Sequence, residues 1–236
     1  MNDNLLRLAL PSKGRLMERA GELFANAGMP IRKIGHERGY RGEITGRPGV
    51  EIAFLSAAEI ARQLNLGRVH AGITGEDLIA ESGRDGATRI ELVRPLGFGR
   101  ADVVVAVPEC WLDVSKMGDL EEVAAVFFRE HGRRLRVATK YLNLTRRFFS
   151  QKGVTGYRIV ESLGATEGTV AAGTAEIIVD ITSTGTTLKA NHLRVLDDGL
   201  ILKSQAMLAR SKTAPWSKGN QAEMDEIVSR LETAGR

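Results

Sequence analysis

Asp180 ends a short apolar run and is followed by hydroxyl residues around one glycine, an arrangement that suits a phosphorylated sugar. The run from 176 to 179 predicts a buried strand that delivers the carboxylate to its carboxyl end. A helix pattern opens after the loop, so backbone N–H groups and the partial positive charge of a helix N-terminus should face a phosphate. The carboxylate suits a ribose diol or a magnesium ion. The predicted phosphate loop consists of Ser183, Thr184, Gly185, Thr186 and Thr187.

A second carboxylate, Glu167, follows another apolar strand pattern and the small residues Gly164 and Ala165. Glycine permits close approach of a ligand to the backbone. The first turn of a helix favours carboxylates in any case, so Glu167 is either a helix-capping residue or a site residue. If the strands before Ser162 and after Glu176 are neighbours, both carboxylates face one phosphate loop. Such a pair can hold ribose hydroxyls or magnesium.

Cationic residues follow two other strand patterns. Lys13 and Arg15 lie where the first helix should begin, and there they oppose the helix dipole unless an anion such as a polyphosphate is bound. The pattern fits an ordinary solvated turn equally well. Lys140 and Tyr141 follow the strand pattern at 135–138, where Lys140 could reach an anion and Tyr141 could stack on a base.

A third group of basic residues lies between positions 32 and 47, among glycines and with little helical pattern. It includes Arg38 and Arg41. This segment is either a basic flap over a binding cleft or a solvated hairpin.

The composition is that of an ordinary globular protein of 236 residues, with 43% hydrophobic and 26% charged residues. The net charge of +4 fits an anionic substrate. Aromatic residues amount to 5% and no run of basic residues occurs, so nucleic-acid binding is not expected. A single cysteine, no signal-like N-terminus and no long apolar segment predict a cytoplasmic protein with no membrane partner. The four histidines share no metal-ligand spacing.

Strand and helix patterns alternate along almost the whole chain. This alternation predicts an α/β protein with mixed, mostly parallel sheets. The strands are too many for one small sheet, and the segment 95–99, Pro-Leu-Gly-Phe-Gly, is a natural crossing point between two lobes. The segment from 200 to 209 is expected to form one long strand. A ligand should bind in a cleft at the carboxyl ends of strands.

Five segments, in order, resemble the ATP phosphoribosyltransferase family. They cover nearly the whole chain, and each is weakly specific alone. They are Leu10–Arg15, Ala71–Asp77, Arg136–Tyr141, Gly164–Glu167 and Asp180–Leu188 with Asn191. The length resembles the short form of the family, which lacks a C-terminal regulatory domain.

The resemblance implies a periplasmic-binding-protein-like (type II) fold with a cleft between two lobes, 1–97 plus 195–236 and 98–194. It implies transfer of the phosphoribosyl group of 5-phosphoribosyl 1-pyrophosphate to N1 of ATP. The loop Ser183–Thr187 would hold the 5′-phosphate, Asp180 and Glu167 would lie at the ribose and Mg²⁺, and Lys13 and Arg15 near the pyrophosphate and nucleotide. It also implies a homodimer and a histidyl-tRNA-synthetase-like regulatory subunit.

One position departs from the family pattern. Ser56 stands after a strand where family members often carry a basic residue, so Arg38 or Arg41 is expected to serve the leaving group instead. Two other functions are weighed. A two-lobed solute-binding module would need no carboxylate beside a phosphate loop. A purine-salvage phosphoribosyltransferase usually has two adjacent acidic residues immediately before its Thr-Gly loop, whereas Asp180 stands alone.

Overall fold

The computed structural model describes residues 5–34, 40–83 and 88–234, and the chain divides into two compact units. The first unit comprises Met1–Gly99 and Gln205–Arg236, and the second unit is the continuous segment Arg100–Ser204. The second crossing therefore lies at 204–205, ten residues after the sequence-based boundary at 194–195. Within the described residues no helix combines the length and apolar character that crossing a bilayer requires.

The first unit contains a seven-stranded sheet in the order β2-β3-β4-β1-β5-β12-β6. Its strands are β1 (Leu6–Pro11), β2 (Ile31–Ile34), β3 (Arg41–Ile44), β4 (Arg47–Leu55), β5 (Ala71–Gly75), β6 (Ile90–Pro95) and β12 (Ala206–Ser211). Its helices are α1 (Gly14–Asn26), α2 (Ala57–Asn65), α3 (Glu76–Glu81) and α8 (Lys218–Ala234).

The core of the first unit lies between the sheet and its helices. Leu8 of β1 and Ile52 of β4 are fully buried and pack with Phe24 of α1 and Ile227 of α8. Strand β1 pairs in parallel with both β4 and β5, so it is a central strand and its apolar residues are almost completely buried. Such burial on both faces explains why the segment reads as a continuous apolar run.

The basic segment between 32 and 47 forms a hairpin in its described part. β2 and β3 pair antiparallel, and β3 continues antiparallel onto β4. Arg32 and Arg47 form ion pairs with carboxylates of β3 and α8. The hairpin interpretation is thus the one that holds for these residues, while Arg38 lies outside the described residues.

The second unit contains a five-stranded sheet in the order β11-β7-β10-β8-β9. Its strands are β7 (Ala101–Pro108), β8 (Leu135–Thr139), β9 (Tyr157–Glu161), β10 (Ile177–Thr182) and β11 (Leu193–Ser204). Its helices are α4 (Met117–His131), α5 (Leu142–Gln151), α6 (Gly168–Ala171) and α7 (Thr186–Ala190). Residues 103–107 of β7 are buried, and β7 lies between β10 and the edge strand β11.

Three details of the sheets go beyond what the sequence established. The sheets are mixed, as expected, and among the described residues the parallel pairings are β1–β4, β1–β5, β8–β10 and β8–β9. The segment 200–209 is not one strand but the end of β11 and the start of β12, which belong to different units. Strands β9 and β10 are not neighbours, because β8 lies between them.

Candidate active site

Asp180 lies on β10 at the point where the strand leaves the core. The three residues before it are fully buried, and the Asp180 side chain is 15% exposed. Pairing with Val104 of β7 on one side and the parallel pairing of β10 with β8 on the other fix the strand at this point. The carboxylate atom Oδ1 accepts a hydrogen bond of 2.8 Å from the N–H of Ile181. The side chain is therefore held close to its own backbone.

The loop after β10 turns sharply at Gly185. The N–H of Gly185 donates a 3.0 Å hydrogen bond to Oγ1 of Thr182. The backbone of Gly185 adopts φ 75° and ψ −5°, in the left-handed region. Glycine occupies this region without the clash between Cβ and backbone that other L-residues suffer. The turn leads directly into α7.

The loop presents hydroxyl and N–H donors together. The Oγ1 atoms of Thr184 and Thr186 are 2.9 Å apart. Within the part of the chain that the structure describes, the N–H groups of Ser183, Thr184 and Thr187 have no hydrogen-bond acceptor. Unpaired N–H donors at a helix start are satisfied by water or by an anion.

A cavity of about 190 Å³ lies over this loop and belongs wholly to the second unit. Glu167 and Asp180 line it together, although β9 and β10 are separated in the sheet. Glu167 lies in the turn after β9, immediately before the short α6, which contacts β10. The cavity is lined by Glu167, Asp180, Ile181, Thr182, Ser183, Thr184, Thr186, Thr187 and Leu188.

Opposing effects act on the Asp180 carboxyl. Burial raises the pKa of Asp180 above its ordinary value, and the nearby negative charge of Glu167 adds to the rise. The Ile181 N–H, the charge of Lys140 and the Thr166 hydroxyl each lower the pKa in part. The Nζ atom of Lys140 is 4.0 Å from Oδ1 of Asp180. Two carboxylates that repel each other in a half-buried pocket favour the approach of a cation.

Other predicted residues of the second unit contribute less directly. Gly164 and Ala165 are exposed and do not line the cavity. The side chain of Tyr141 is completely buried, with Lys140 Nζ 5.0 Å from the centre of its ring. Its predicted stacking on a base is not supported, because the ring has no exposed face in this conformation.

The predicted cations of the first unit lie at its surface. Lys13 stands immediately before α1 and Arg15 lies in its first turn, and both are exposed. Arg41 on β3 is also exposed, and its Nε atom lies 3.3 Å from a carboxylate oxygen of Glu51. Ser56 caps α2 by accepting a 3.2 Å hydrogen bond from the N–H of Glu59. Its hydroxyl therefore serves the helix end.

Two features of the pocket were missing from the sequence-based site. Thr182 lines the cavity, and its hydroxyl fixes the turn at Gly185, yet the predicted loop began at Ser183. Thr166 lies next to Glu167 and is 2% exposed, and its Oγ1 atom donates a 3.1 Å hydrogen bond to Oγ of Ser162. The alternation of a hydroxyl with apolar residues along β10 pointed to Thr182, but no local pattern distinguishes Thr166 from a helix-capping threonine.

Comparison with known proteins identifies the family to which the chain is related. Residues 56–233 match the family model described as HisG, ATP phosphoribosyltransferase. A protein named ATP phosphoribosyltransferase from Mesorhizobium japonicum is 58% identical over 231 residues, which cover 98% of this chain and 99% of that protein. A protein of the same name from Chelativorans sp. is 59% identical, and the matched region covers 97% of this chain and 98% of that protein. A third protein of this name, from Rhodopseudomonas palustris, is 57% identical. The matched region covers 97% of this chain and 70% of the Rhodopseudomonas protein.

Solved structures show the same fold at lower identity. The ATP phosphoribosyl transferase (HisG:HisZ) complex from Thermotoga maritima has a chain with a TM-score of 0.75 at 24% identity, with 98% of each chain covered. The substrate binding protein of an amino acid ABC transporter has a TM-score of 0.55 at 12% identity, covering 97% of this chain and 92% of that one. The mixed two-sheet architecture is thus that of periplasmic-binding-protein-like (type II) folds.

Proposed function

This chain belongs to the ATP phosphoribosyltransferase family, and from that premise we propose that the hydroxyl loop of its second unit binds the 5′-phosphate of 5-phosphoribosyl 1-pyrophosphate. The reaction is the first step of histidine biosynthesis. It joins N1 of ATP to C1 of the ribose and releases pyrophosphate. The alternatives of a solute-binding module and a purine-salvage enzyme do not share this relationship. At 12% identity, the resemblance to solute-binding proteins concerns the fold alone.

One observation carries the placement of the sugar phosphate. A single cavity of about 190 Å³ contains the loop donors and both carboxylates. Phosphate oxygens match the N–H groups of Ser183, Thr184 and Thr187 and the neighbouring hydroxyls. Ribose hydroxyls match Asp180, which is a hydrogen-bond acceptor when ionised. A phosphoribosyl group has both kinds of group at adjacent positions.

The proposed roles follow from the way the bonds change. The lone pair of adenine N1 forms the new bond to C1, and the C1–O bond to pyrophosphate breaks with its electrons going to the leaving oxygen. Negative charge therefore grows on the pyrophosphate, where cations stabilise it. We assign this task to Lys13, Arg15 and Arg41 of the first unit. Binding the sugar by the loop and Asp180 fixes C1 for attack.

The donor set near the ribose fits Mg²⁺. This ion usually keeps several waters and is held by one or two carboxylates together with substrate phosphates. Residues 5–34, 40–83 and 88–234 contain no group of three or more His, Cys, Asp and Glu side chains that could cage a metal. Asp180 and Glu167 would hold the ion, which would neutralise charge on the pyrophosphate. Lys140 would then face the phosphates.

We also propose the partners of the chain. The Thermotoga maritima neighbour is a complex of HisG with HisZ, so we expect this chain to bind a HisZ-like, histidyl-tRNA-synthetase-like regulatory subunit and to form a homodimer within that assembly. We place the protein in the cytoplasm, where its nucleotide substrates are made. Multi-angle light scattering of the chain with and without the co-expressed subunit tests both assemblies. A mass that stays at one chain in both samples would contradict them.

Pyrophosphate release tests the function, and calorimetric binding of 5-phosphoribosyl 1-pyrophosphate tests the site. Release is expected with ATP and not with free adenine, measured with the regulatory subunit present. Asp180→Asn should weaken binding on the order of tenfold or more, because a charge-assisted bond to the ribose is lost. Asp197→Asn is the matched control, since Asp197 is exposed on β11 and does not line the cavity. Equal affinities for both variants would refute the placement of Asp180.

A further inference from the structure

Helix α4 of the second unit has an outward face on which apolar residues are left uncovered. Its buried face consists of Met117, Leu120 and Ala124. On the outward side Val126 is 40% exposed and Phe128 is 53% exposed, and the neighbouring alanine at 125 is exposed as well. Within the described ranges, the other exposed large apolar side chains lie on loops, strands or helix ends. Apolar residues gathered on one helix surface, rather than scattered singly, indicate a binding surface.

Two oppositely charged side chains lie on the same face. Glu122, Ala125 and Arg129 follow one another at helical spacing, so they form one stripe along the helix. Val126 and Phe128 flank this stripe on opposite sides. Glu122 and Arg129 are exposed, and neither has a hydrogen-bond or ion-pair partner in the part of the chain that the structure describes. The outward face is thus apolar in its middle, with a free carboxylate toward the amino end and a free guanidinium toward the carboxyl end.

The order of these charges makes the face complementary to itself. In a two-fold symmetric contact, the same surface patch is used by both copies. A two-fold axis between Ala125 and Val126 is equally far along the helix from Glu122 and from Arg129. If the two helices run antiparallel about this axis, Glu122 of each copy therefore faces Arg129 of the other. A parallel pair would instead bring like charges together, which is costly. The charge pattern thus selects the antiparallel pair.

We propose that the outward face of α4 is a contact surface for a second copy of this chain. Packing two such faces together covers Ala125, Val126 and Phe128, and the small side chain of Ala125 allows the helices to approach closely at the axis. Burial of the apolar residues stabilises the contact. The two symmetric ion pairs at its ends determine the direction of the helices. The inference rests on the proposed homodimer, for which it names an interface.

Charge reversal tests the pairing. Glu122→Arg and Arg129→Glu each bring like charges together at two symmetry-related places. Either variant should raise the dissociation constant of the dimer on the order of tenfold or more. The double variant Glu122→Arg/Arg129→Glu restores opposite charges and should return the constant to within about threefold of the original. Arg147→Glu is the matched control, since Arg147 is an exposed arginine of α5 and lies outside the proposed surface. Its dissociation constant should be unchanged.

Sedimentation velocity over a concentration series measures the dissociation constant, for the full chain alone and with the co-expressed regulatory subunit. Circular dichroism checks that each variant is folded. Cross-linking gives a second measurement in a Cys110→Ser background, which removes the exposed natural cysteine. Ala125→Cys places a thiol beside the two-fold axis and should form a disulfide between copies under mild oxidation. Arg147→Cys in the same background should not.

The outcomes separate this inference from the homodimer itself. If the original chain stays monomeric both alone and with the regulatory subunit, the proposed homodimer fails and the inference about α4 fails with it. If the original chain dimerises and both single variants dimerise as tightly as Arg147→Glu, the inference is overturned while the homodimer stands. Single variants that dissociate without recovery in the double variant would overturn the antiparallel pairing.

Discussion

Replacing Gly185 tests whether the phosphate loop depends on a left-handed backbone or on open space. A Cβ atom at this position would meet no described heavy atom within 4 Å, so a side chain has room. What remains is the backbone angle, because φ is 75°. An L-residue there costs roughly 1–2 kcal/mol.

The cost can appear in two measurements. If the Gly185→Ala loop keeps its conformation, the free energy of unfolding falls by about 1–2 kcal/mol and affinity is retained. If the loop relaxes, stability is retained and phosphate donors move, so affinity for 5-phosphoribosyl 1-pyrophosphate falls by about 5- to 30-fold. The two losses should therefore sum to about 1–2 kcal/mol. Gly185→Asn should lose less, because asparagine tolerates this region, and Gly185→Val should lose more.

Urea unfolding and calorimetric titration measure the two terms. Trp111 lies in the second unit, so its fluorescence in a Trp216→Phe background follows that unit alone. Gly153→Ala is the matched control, since Gly153 has φ 76° and equally open surroundings but does not line the cavity. It should lose the same stability and no affinity. A Gly185→Val protein with native stability and native affinity would refute the reasoning, as would a summed loss for Gly185→Ala far above 3 kcal/mol.

Three further predictions concern stability. Burial lowers the pKa of His70 below 6.5, so unfolding free energy should decline as the pH falls below that value, and His70→Gln should weaken this decline in urea unfolding between pH 7 and 5. Burial alone would raise the pKa of Glu176, but hydrogen bonds from Arg136 and Arg133 lower this pKa to about 2. This contribution is complete above pH 4.5 and is lost toward pH 2, and an acid titration of Glu176→Gln should lack it. Arg47→Ala should lower the thermal midpoint, because the guanidinium is 15% exposed and joins two carboxylates of α8, worth about 1–3 kcal/mol.

The strand, turn and helix start of the proposed phosphate loop could be predicted from sequence because their determinants are local. An apolar run, a carboxylate, hydroxyls and a glycine at 185 specify strand, turn and helix start within about a dozen residues, and the structure has them in that order. The meeting of Glu167 with Asp180 in one cavity was also expected. The condition given for it, neighbouring strands, is not met, because β8 lies between β9 and β10 and strand order depends on pairings between distant segments.

Other features depend on contacts that no local pattern encodes. Tyr141 follows a strand like a site residue, but its ring packs inward and is completely buried. The segment 200–209 is continuous in hydrophobicity, yet its two halves pair with β7 and with β5 and β6 in separate sheets. Glu167 lines one cavity with Asp180 although β8 separates β9 from β10 in the sheet. Each of these results depends on tertiary packing rather than on propensity.

The position of β12 in the sheet has a consequence for folding during translation. The second unit is one uninterrupted stretch and has all its strands once residue 204 is made. The first unit is different, because β12 inserts between β5 and β6 and is among the last segments translated. Until then the nascent chain has two unpaired strand edges, which invite wrong pairings. We therefore expect the second unit to fold first and the first unit to wait for its final segment.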